Sequence, residues 1–312
     1  MEHVRKGSSK DIHTIIGDKG EVTGVYFWFS DRVSVFDVGP LPVLFTGLGS
    51  LRCAISGRLF QALNSAGFST HYLSHDISLA QMHVKPVNIP ALIPPVDYGP
   101  AAVGTMLPVE LLCRRMITEK FLGRIERGEV SQEQVEVLLT SPLLKRMAVM
   151  DPPFVECSTK YEAADRYIPN WEAGKLVNQN EQWLIETCYP FVENLFRFFY
   201  DFLHQEANFL LVDGKVELAI TPAGELMLVD SISPDELGLI DPKGGLADKN
   251  ILRSYIIKHY PDWHAKLEGA KKLYPSDKSK WPVYPPDLIL PQELVEEYVA
   301  KTREFAVAIG TL

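Results

Sequence analysis

Three charged residues, Asp213, Lys215 and Glu217, are interleaved with Val212, Val216 and Leu218, so on an extended strand the three share one face. A turn, Thr221-Pro222-Ala223-Gly224, follows, and then a second apolar strand that carries Asp230. If Ile220 and Glu225 close this hairpin, Asp230 lies opposite Lys215 and on the face of Glu217. Two carboxylates and an ammonium on one sheet face are costly unless something occupies the space between them. A nucleotide-bound Mg²⁺ would do so, because it takes a few carboxylate oxygens beside those of the phosphates. The same alternation also describes a solvated outer face, and one bulge would shift the register.

Near the start of the chain, Lys6-Gly7-Ser8-Ser9-Lys10-Asp11-Ile12 reads as a short hairpin tip flanked by lysines. Backbone amides and one ammonium in such a tip can close over a nucleotide, as glycine-rich loops do; a solvated turn has the same composition. The common phosphate signatures are absent. There is no GxxxxGK[ST], and Gly47-Leu48-Gly49 lacks the third glycine of a dinucleotide fingerprint, which leaves an ordinary turn.

The elements that must position these residues follow from periodicity. Val25 to Phe29 and Val33 to Val38 read as strands separated by Ser30-Asp31-Arg32. Leu51, Ile55, Leu59, Phe60 and Leu63 mark a helix that ends before Gly67. Residues 86–108 read as a strand and a long crossing loop, the expected domain boundary. Residues 131–147 read as a helix capped by Ser131 with Gln134 three residues on. The polar stretch from Pro152 to Asn180 reads as an active-site loop. An apolar helix is expected over Pro190–Ala207, then the hairpin from Phe209 to Ile232. A Pro-rich arm (Trp281 to Pro291) leads into a last helix with Leu294, Val295, Tyr298, Thr302, Phe305 and Ile309 on one stripe.

The 312 residues are 46% apolar with a formal net charge of −9, enough for two compact domains and unlike a polyanion binder. The four cysteines are scattered without a CxxC, which argues against a disulfide framework or a structural zinc. No apolar run reaches the ~18 residues that span a bilayer, and no secretory leader is legible. A cytoplasmic protein with no nucleic-acid or membrane partner is expected.

In order along the chain, a set of segments resembles the SAICAR synthetase (phosphoribosylaminoimidazole-succinocarboxamide synthase) family. Lys6-Gly7-Ser8-Ser9-Lys10-Asp11-Ile12 is similar to that family's opening G-K-x-[KR] loop, and Ser30-Asp31-Arg32-Val33-Ser34-Val35-Phe36-Asp37 to its strand-pair motif. Ala66 to His71, the segment Met106-Leu107-Pro108-Val109-Glu110 running on to Arg114, and Ser158-Thr159-Lys160 also match. Asp213-Gly214-Lys215-Val216-Glu217 and Leu228 to Asp235 complete the set, which covers nearly the whole chain.

The resemblance implies a two-lobed α+β fold related to ATP-grasp and kinase-like folds, with ATP between lobes 1–105 and 106–312. It implies an ATP-dependent carbon–nitrogen ligase. A carboxylate on an azole (ribo)nucleotide is phosphorylated, and the amine of an amino acid such as aspartate attacks the acyl phosphate, a step of purine biosynthesis or a close variant. Residue by residue, Gly7, Ser9 and Lys10 would touch ATP phosphates, Glu217 and Asp230 would hold Mg²⁺, and Lys215 would face both nucleotide and substrate. Arg114 would pair with the substrate's anionic group, and Asp31 would border the substrate site. Departures fall at the acceptor end, where Arg115-Met116-Ile117-Thr118-Glu119-Lys120 and Glu236-Leu237-Gly238 replace small residues, a serine and an arginine. Ser8 and Ser231 stand where the family has a lysine and an acid. These changes keep open a paralogue that makes another amide in specialised nucleoside or natural-product synthesis, and a non-catalytic ATP-binding protein. Self-association into a homo-oligomer is compatible with all three.

Overall fold

The computed structural model describes residues 2–90 and 104–312. Two antiparallel sheets form its frame. The first contains β1 (Glu2–Lys6), β2 (Lys10–Ile16), β3 (Val22–Phe29), β4 (Tyr72–Asp76) and β5 (Gln81–Val84), in the order β1-β2-β3-β5-β4. Helix α1 (Leu48–Ser65) packs beside it, with all five residues of the expected stripe buried. The helix starts at Gly47, whose φ of 85° suits a residue without a Cβ, and the chain turns away at Gly67, φ 87°.

The second sheet begins with β6 (Thr105–Met116). Helices α2 (Glu119–Glu126) and α3 (Gln132–Glu136) lead to β7 (Val149–Thr159) and β8 (Tyr167–Ile168). Helix α4 (Asn170–Leu176), the single turn α5 (Glu181–Trp183), a π-helical turn (Leu184–Cys188) and α6 (Tyr189–Ala207) precede β9 (Leu210–Ile220), β10 (Leu226–Val229) and β11 (Leu237–Ile240). The strand order is β10-β9-β6-β7-β8, and β11 also pairs with β9. Helices α7 (Asn250–His259), α8 (Pro261–Leu273) and α9 (Gln292–Ala308) close the chain, with a 3₁₀ turn at Lys278–Lys280. One continuous core runs from the first sheet (Phe27, Met82) through α1 (Leu59) to α6 (Phe199) and β9 (Leu218). A second core joins residues 33–48 to α7, α8, α9 and the C-terminal arm.

Most expected elements are present, and four differ. Val33–Val38 forms no ladder; Ser34 makes one isolated bridge to Pro40. Phe36 and Asp37 both take φ 58°, which breaks a strand, and the Tyr284 hydroxyl meets the carbonyls of Val35 at 2.8 Å and Gly39 at 3.0 Å. The helix expected over 131–147 begins as read, with Ser131 Oγ accepting from Gln134 N, but stops at Glu136. Most of 152–180 is strand and helix rather than loop. Its polar residues Glu156 and Ser158 point from β7 onto a charged sheet face, so alternation that looks irregular in sequence is regular in space. The long crossing loop lies mostly outside the described residues. Finally, the β9–β10 hairpin pairs Leu226 with Ile220 and Val229 with Glu217, one residue off the expected register.

Among the described residues no helix is long and apolar enough to cross a membrane. The four cysteines are buried and unpaired.

Candidate functional site

The register of the second sheet sets its charged face. Glu217, Glu110 and Ser158 form one cross-strand row over β9, β6 and β7; Lys215, Leu112 and Glu156 form the next; Asp213, Arg114 and Phe154 the third. The Lys215 ammonium lies 2.6 Å from Glu110 Oε1 and 3.3 Å from Glu217 Oε1. Lys160, at the end of β7, contacts the Glu217 carboxylate and sits 4.0 Å from Glu110. Burial, partly opposed by Lys215 and reinforced by Glu217, pushes the Glu110 carboxyl up to about 7. Burial works against the charge on Lys215, but Glu110, Glu217 and Asp230 outweigh it and raise its pKa.

Asp230 reaches this face by backbone conformation rather than by alternation. It lies one residue beyond the ladder with φ 69°, a left-handed geometry that Asp tolerates. Its Oδ1 is 2.8 Å from Lys10 Nζ. Burial alone would raise its pKa, yet Lys10, Lys160 and Lys215 hold it well below the usual carboxylate range. Lys10 also donates to Ser231 Oγ at 2.8 Å and lies over the Phe27 ring at 5.2 Å. Desolvation opposes its charge, and Asp230 overcomes that, so its pKa is raised.

Above these groups the β1–β2 hairpin closes a cavity of about 240 Å³. One side is an apolar slot with Val25 and Phe27 from β3, Val87, Ile89 and Met106, and Val229 from β10. The other side is the tip Gly7-Ser8-Ser9 with Lys10, Lys160, Glu217 and Asp230. A flat base fits the slot, and a phosphate chain fits the lysine-lined end. The tip is held in place: Ser9 O accepts from Ser30 N at 2.9 Å, and Gly7 O from Arg32 Nη2 at 3.1 Å. A Cβ on Gly7 would come within 2.4 Å of Lys10 O, so the tight turn requires glycine.

The cavity lining therefore brings together Gly7, Ser9, Lys10, Glu217 and Asp230, and Lys215 adjoins them through Glu217. Two further residues named in the sequence have other duties. Both carboxylate oxygens of Asp31 accept backbone amides at the start of α1, from Gly49 at 2.8 Å and Gly47 at 3.1 Å. Arg114 is buried on the charged face, but all three of its guanidinium nitrogens have protein partners: Nε to Glu156 at 2.8 Å, Nη1 to Asp213 at 3.2 Å, Nη2 to Tyr167 Oη at 3.1 Å. Arg115 turns away to Met150 O and Asp151, and Glu119 is exposed at the first turn of α2, which Thr118 caps. Glu236 is outside the cavity lining but within electrostatic reach of Lys10 and Asp230, and Ser233 N and Oγ donate to its Oε2 at 2.9 and 2.8 Å. Burial and neighbouring Asp235 push its carboxyl up to about 7.

Sequence reading left out Lys160 and Glu110 as site residues, although both sit in the matched segments. Among the described residues no group of three or more His, Cys, Asp or Glu side chains could hold a metal by itself. Glu217 and Asp230 offer two carboxylates beside the phosphate end of the cavity, a donor set that suits Mg²⁺ when phosphate and water supply the remaining oxygens.

The family model described as SAICAR synthetase matches residues 3–270. A relative from Archaeoglobus fulgidus, assigned to the phosphoribosylaminoimidazole-succinocarboxamide synthases, is 29% identical over 289 residues, covering 85% of this chain and 82% of its own. Among solved structures, SAICAR synthase from Saccharomyces cerevisiae complexed with SAICAR superposes with TM-score 0.67 at 18% identity, covering 99% of this chain and 94% of its own. A type-2 SAICAR synthetase in complex with ADP superposes with TM-score 0.61 at 21% identity, covering 90% and 99%.

Proposed function

The chain belongs to the SAICAR synthetase family, whose members are ATP-dependent amide-forming ligases, and from that premise we propose how its cleft performs the reaction. The observation that carries this reading is the convergence of Lys10, Lys160 and Lys215 with Glu217 and Asp230 at the mouth of an apolar slot. The adenine of ATP occupies the slot, and the amides of the tip with Lys10 take the phosphates. The solved relative bound to ADP supports ATP as the donor, and the one bound to SAICAR supports an imidazole ribonucleotide and aspartate as the joined halves. Glu217 and Asp230 would hold Mg²⁺, which supplies positive charge at the phosphate oxygens when bound.

The rest is the work of the chain's own side chains. Lys215, partly exposed between Glu110 and Glu217, orients the acceptor carboxylate so that its oxygen meets the γ-phosphorus as ADP leaves. Lys160 balances the charge on Glu217. The amine then attacks the acyl carbon, an amide C–N bond forms and phosphate departs. Arg114 acts through Glu156, Asp213 and Tyr167 as a positioning residue for the charged face, and Asp31 positions α1. The lobes divide at 105/106, and the reaction takes place in the cytoplasm, where thiols such as the four buried cysteines stay reduced.

A second reading, the same chemistry on a different acceptor, is favoured by Glu236, within electrostatic reach of Lys10 and Asp230, which in its ionised form would repel a dianionic ligand nearby. One assay tests both. Carboxyaminoimidazole ribonucleotide, L-aspartate and Mg·ATP are supplied, and ADP, phosphate and amide are followed. Equal amounts of all three products support the first reading. ATP binding without turnover of this pair supports the second, and no ATP binding contradicts both.

A further inference from the structure

The matched segment from Ala66 ends on a buried histidine, His71, which lines the cavity where the two sheets meet. His71 N donates to Leu228 O at 3.1 Å, Leu228 N to Ser69 O at 2.9 Å, and Lys85 N to His71 O at 2.7 Å. The residues before β4 are thus parallel neighbours of β10, bridged at Thr70 and Leu228. From there the imidazole reaches two residues further along the chain, to Asp230.

The ladder between β9 and β10 ends at Val229, and beyond it the polar groups of the chain turn to side chains. His71 Nε2 lies 2.8 Å from Asp230 O, Lys10 donates to Ser231 Oγ at 2.8 Å, and Ile232 N donates to Ser56 Oγ at 3.1 Å. A carbonyl oxygen only accepts, so Nε2 carries the proton in the first of these bonds. The ring is held in turn by Phe27 and Phe60, with centroids 5.6 and 5.5 Å away. Asp230 has φ 69°, a conformation that costs a residue with a Cβ energy and persists where the surroundings impose it. The bond from His71 fixes the peptide plane that follows Asp230, and with it the direction in which the carboxylate leaves the backbone.

We propose that His71 is a positioning residue of the nucleotide site, whose Nε2–H holds Asp230 O and so aims the Asp230 carboxylate at the divalent cation that accompanies the nucleotide. This rests on the reading above, in which Glu217 and Asp230 hold that cation. Outer groups that orient a metal ligand by a hydrogen bond are worth about tenfold or more in metal affinity. His71 differs from the usual case in gripping the main chain of the ligand, which leaves both carboxylate oxygens of Asp230 to Lys10 and the cation.

The test uses the full chain, with Mn²⁺ and ADP as probes and two variants that divide the properties of the imidazole. His71→Phe keeps an aromatic ring and removes the donor; His71→Gln keeps an N–H donor and removes the ring. Free Mn²⁺ is read by electron paramagnetic resonance, which needs no turnover. His71→Phe should bind Mn·ADP about tenfold more weakly than the wild type. His71→Gln should keep most of the wild-type affinity, even if both variants melt lower. Affinity that follows the ring instead, or that falls or stands alike in both variants, overturns the proposal and makes His71 a packing residue. The wild type supplies a second measurement should a variant fail to fold. With ¹⁵N-labelled histidine, the signal that Mn·ADP broadens most belongs to His71, since the lining holds no other histidine among the described residues. That ring should carry its proton on Nε2, and a proton on Nδ1 alone overturns the proposal. A wild type that binds no Mn·ADP overturns the metal assignment as well, which separates that failure from this one.

Discussion

Replacing Asp230 by Asn removes the carboxylate that holds Lys10 in the cleft while keeping its shape. The two charges are 2.8 Å apart and their side chains are only 10% and 19% exposed. Coulomb attraction at that distance is about 6 kcal/mol with an effective dielectric of about 20. The net cost of stranding one partner of such a pair is about 3–5 kcal/mol. Lys10 keeps its bond to Ser231 Oγ and the influence of Glu236 and Glu217, which places the expected loss at the lower end, about 3 kcal/mol or roughly 5–10 °C in Tm. Lys10→Met should cost a similar amount, because Asp230 then lacks its nearest cation. The double variant should lose less than the sum, with a coupling of about 2–3 kcal/mol. Denaturant melts of the four proteins, without nucleotide, measure this directly. Additive losses would refute the claim that Asp230 is folded into the cleft by Lys10.

Three further outcomes are expected. Gly7→Ala should lower ATP affinity about tenfold by calorimetry with little change in melting, since its Cβ would meet Lys10 O at 2.4 Å and displace the tip that closes on phosphates; wild-type affinity would contradict the assignment of the tip. Arg114→Lys should destabilise the fold by about 2–4 kcal/mol, because one ammonium cannot replace three bonds to Glu156, Asp213 and Tyr167; a large rise in acceptor KM without loss of stability would instead make Arg114 a direct ligand. The third outcome concerns pH. Burial raises the Asp248 carboxyl to about 6, against the pull of hydrogen bonds from Asn250 N and Leu239 N. Between about 4 and 6 the unfolded chain has lost this proton and the folded chain keeps it, so stability falls by up to ~3 kcal/mol as pH rises and is level above. Urea midpoints at pH 4 and 7 should therefore differ less in Asp248→Asn than in the wild type, and an equal difference would refute the assignment.

The residues of the candidate site were legible where the signal was local. Lys10 beside a glycine turn, and Lys215 and Glu217 two apart on a strand, are facts of adjacency; the structure brings Lys10 and Glu217 to one cavity and sets Lys215 against Glu217 beside it. Asp230 converged with them for another reason than expected. The hairpin loop is one residue longer, and a left-handed backbone at Asp230 restores the direction that alternation would have lost. What adjacency does not carry was missed. Glu110 and Lys160 join the site only because β6 lies between β7 and β9, and strand order is not written in any one segment. Asp31 and Arg114 show the converse: a matched motif located them, but only geometry reveals that amides of α1 and the carboxylates of Glu156 and Asp213 occupy them. Val33–Val38 has strand composition, yet its partner is a tyrosine some 250 residues away in the arm, with Tyr284 Oη on Val35 O.

The central claim is that Lys10, Lys215, Glu217 and Asp230 assemble ATP and a carboxylate so that phosphate passes to the carboxylate oxygen before the amide forms. The most direct measurement supplies carboxyaminoimidazole ribonucleotide labelled with ¹⁸O in its carboxylate, together with aspartate and Mg·ATP, and weighs the released phosphate by mass spectrometry. Transfer through an acyl phosphate puts one labelled oxygen in each phosphate formed with amide, and this transfer should collapse with turnover in Lys215→Met. Amide formed with unlabelled phosphate would contradict the account, because the carboxylate oxygen would then never have been bonded to phosphorus.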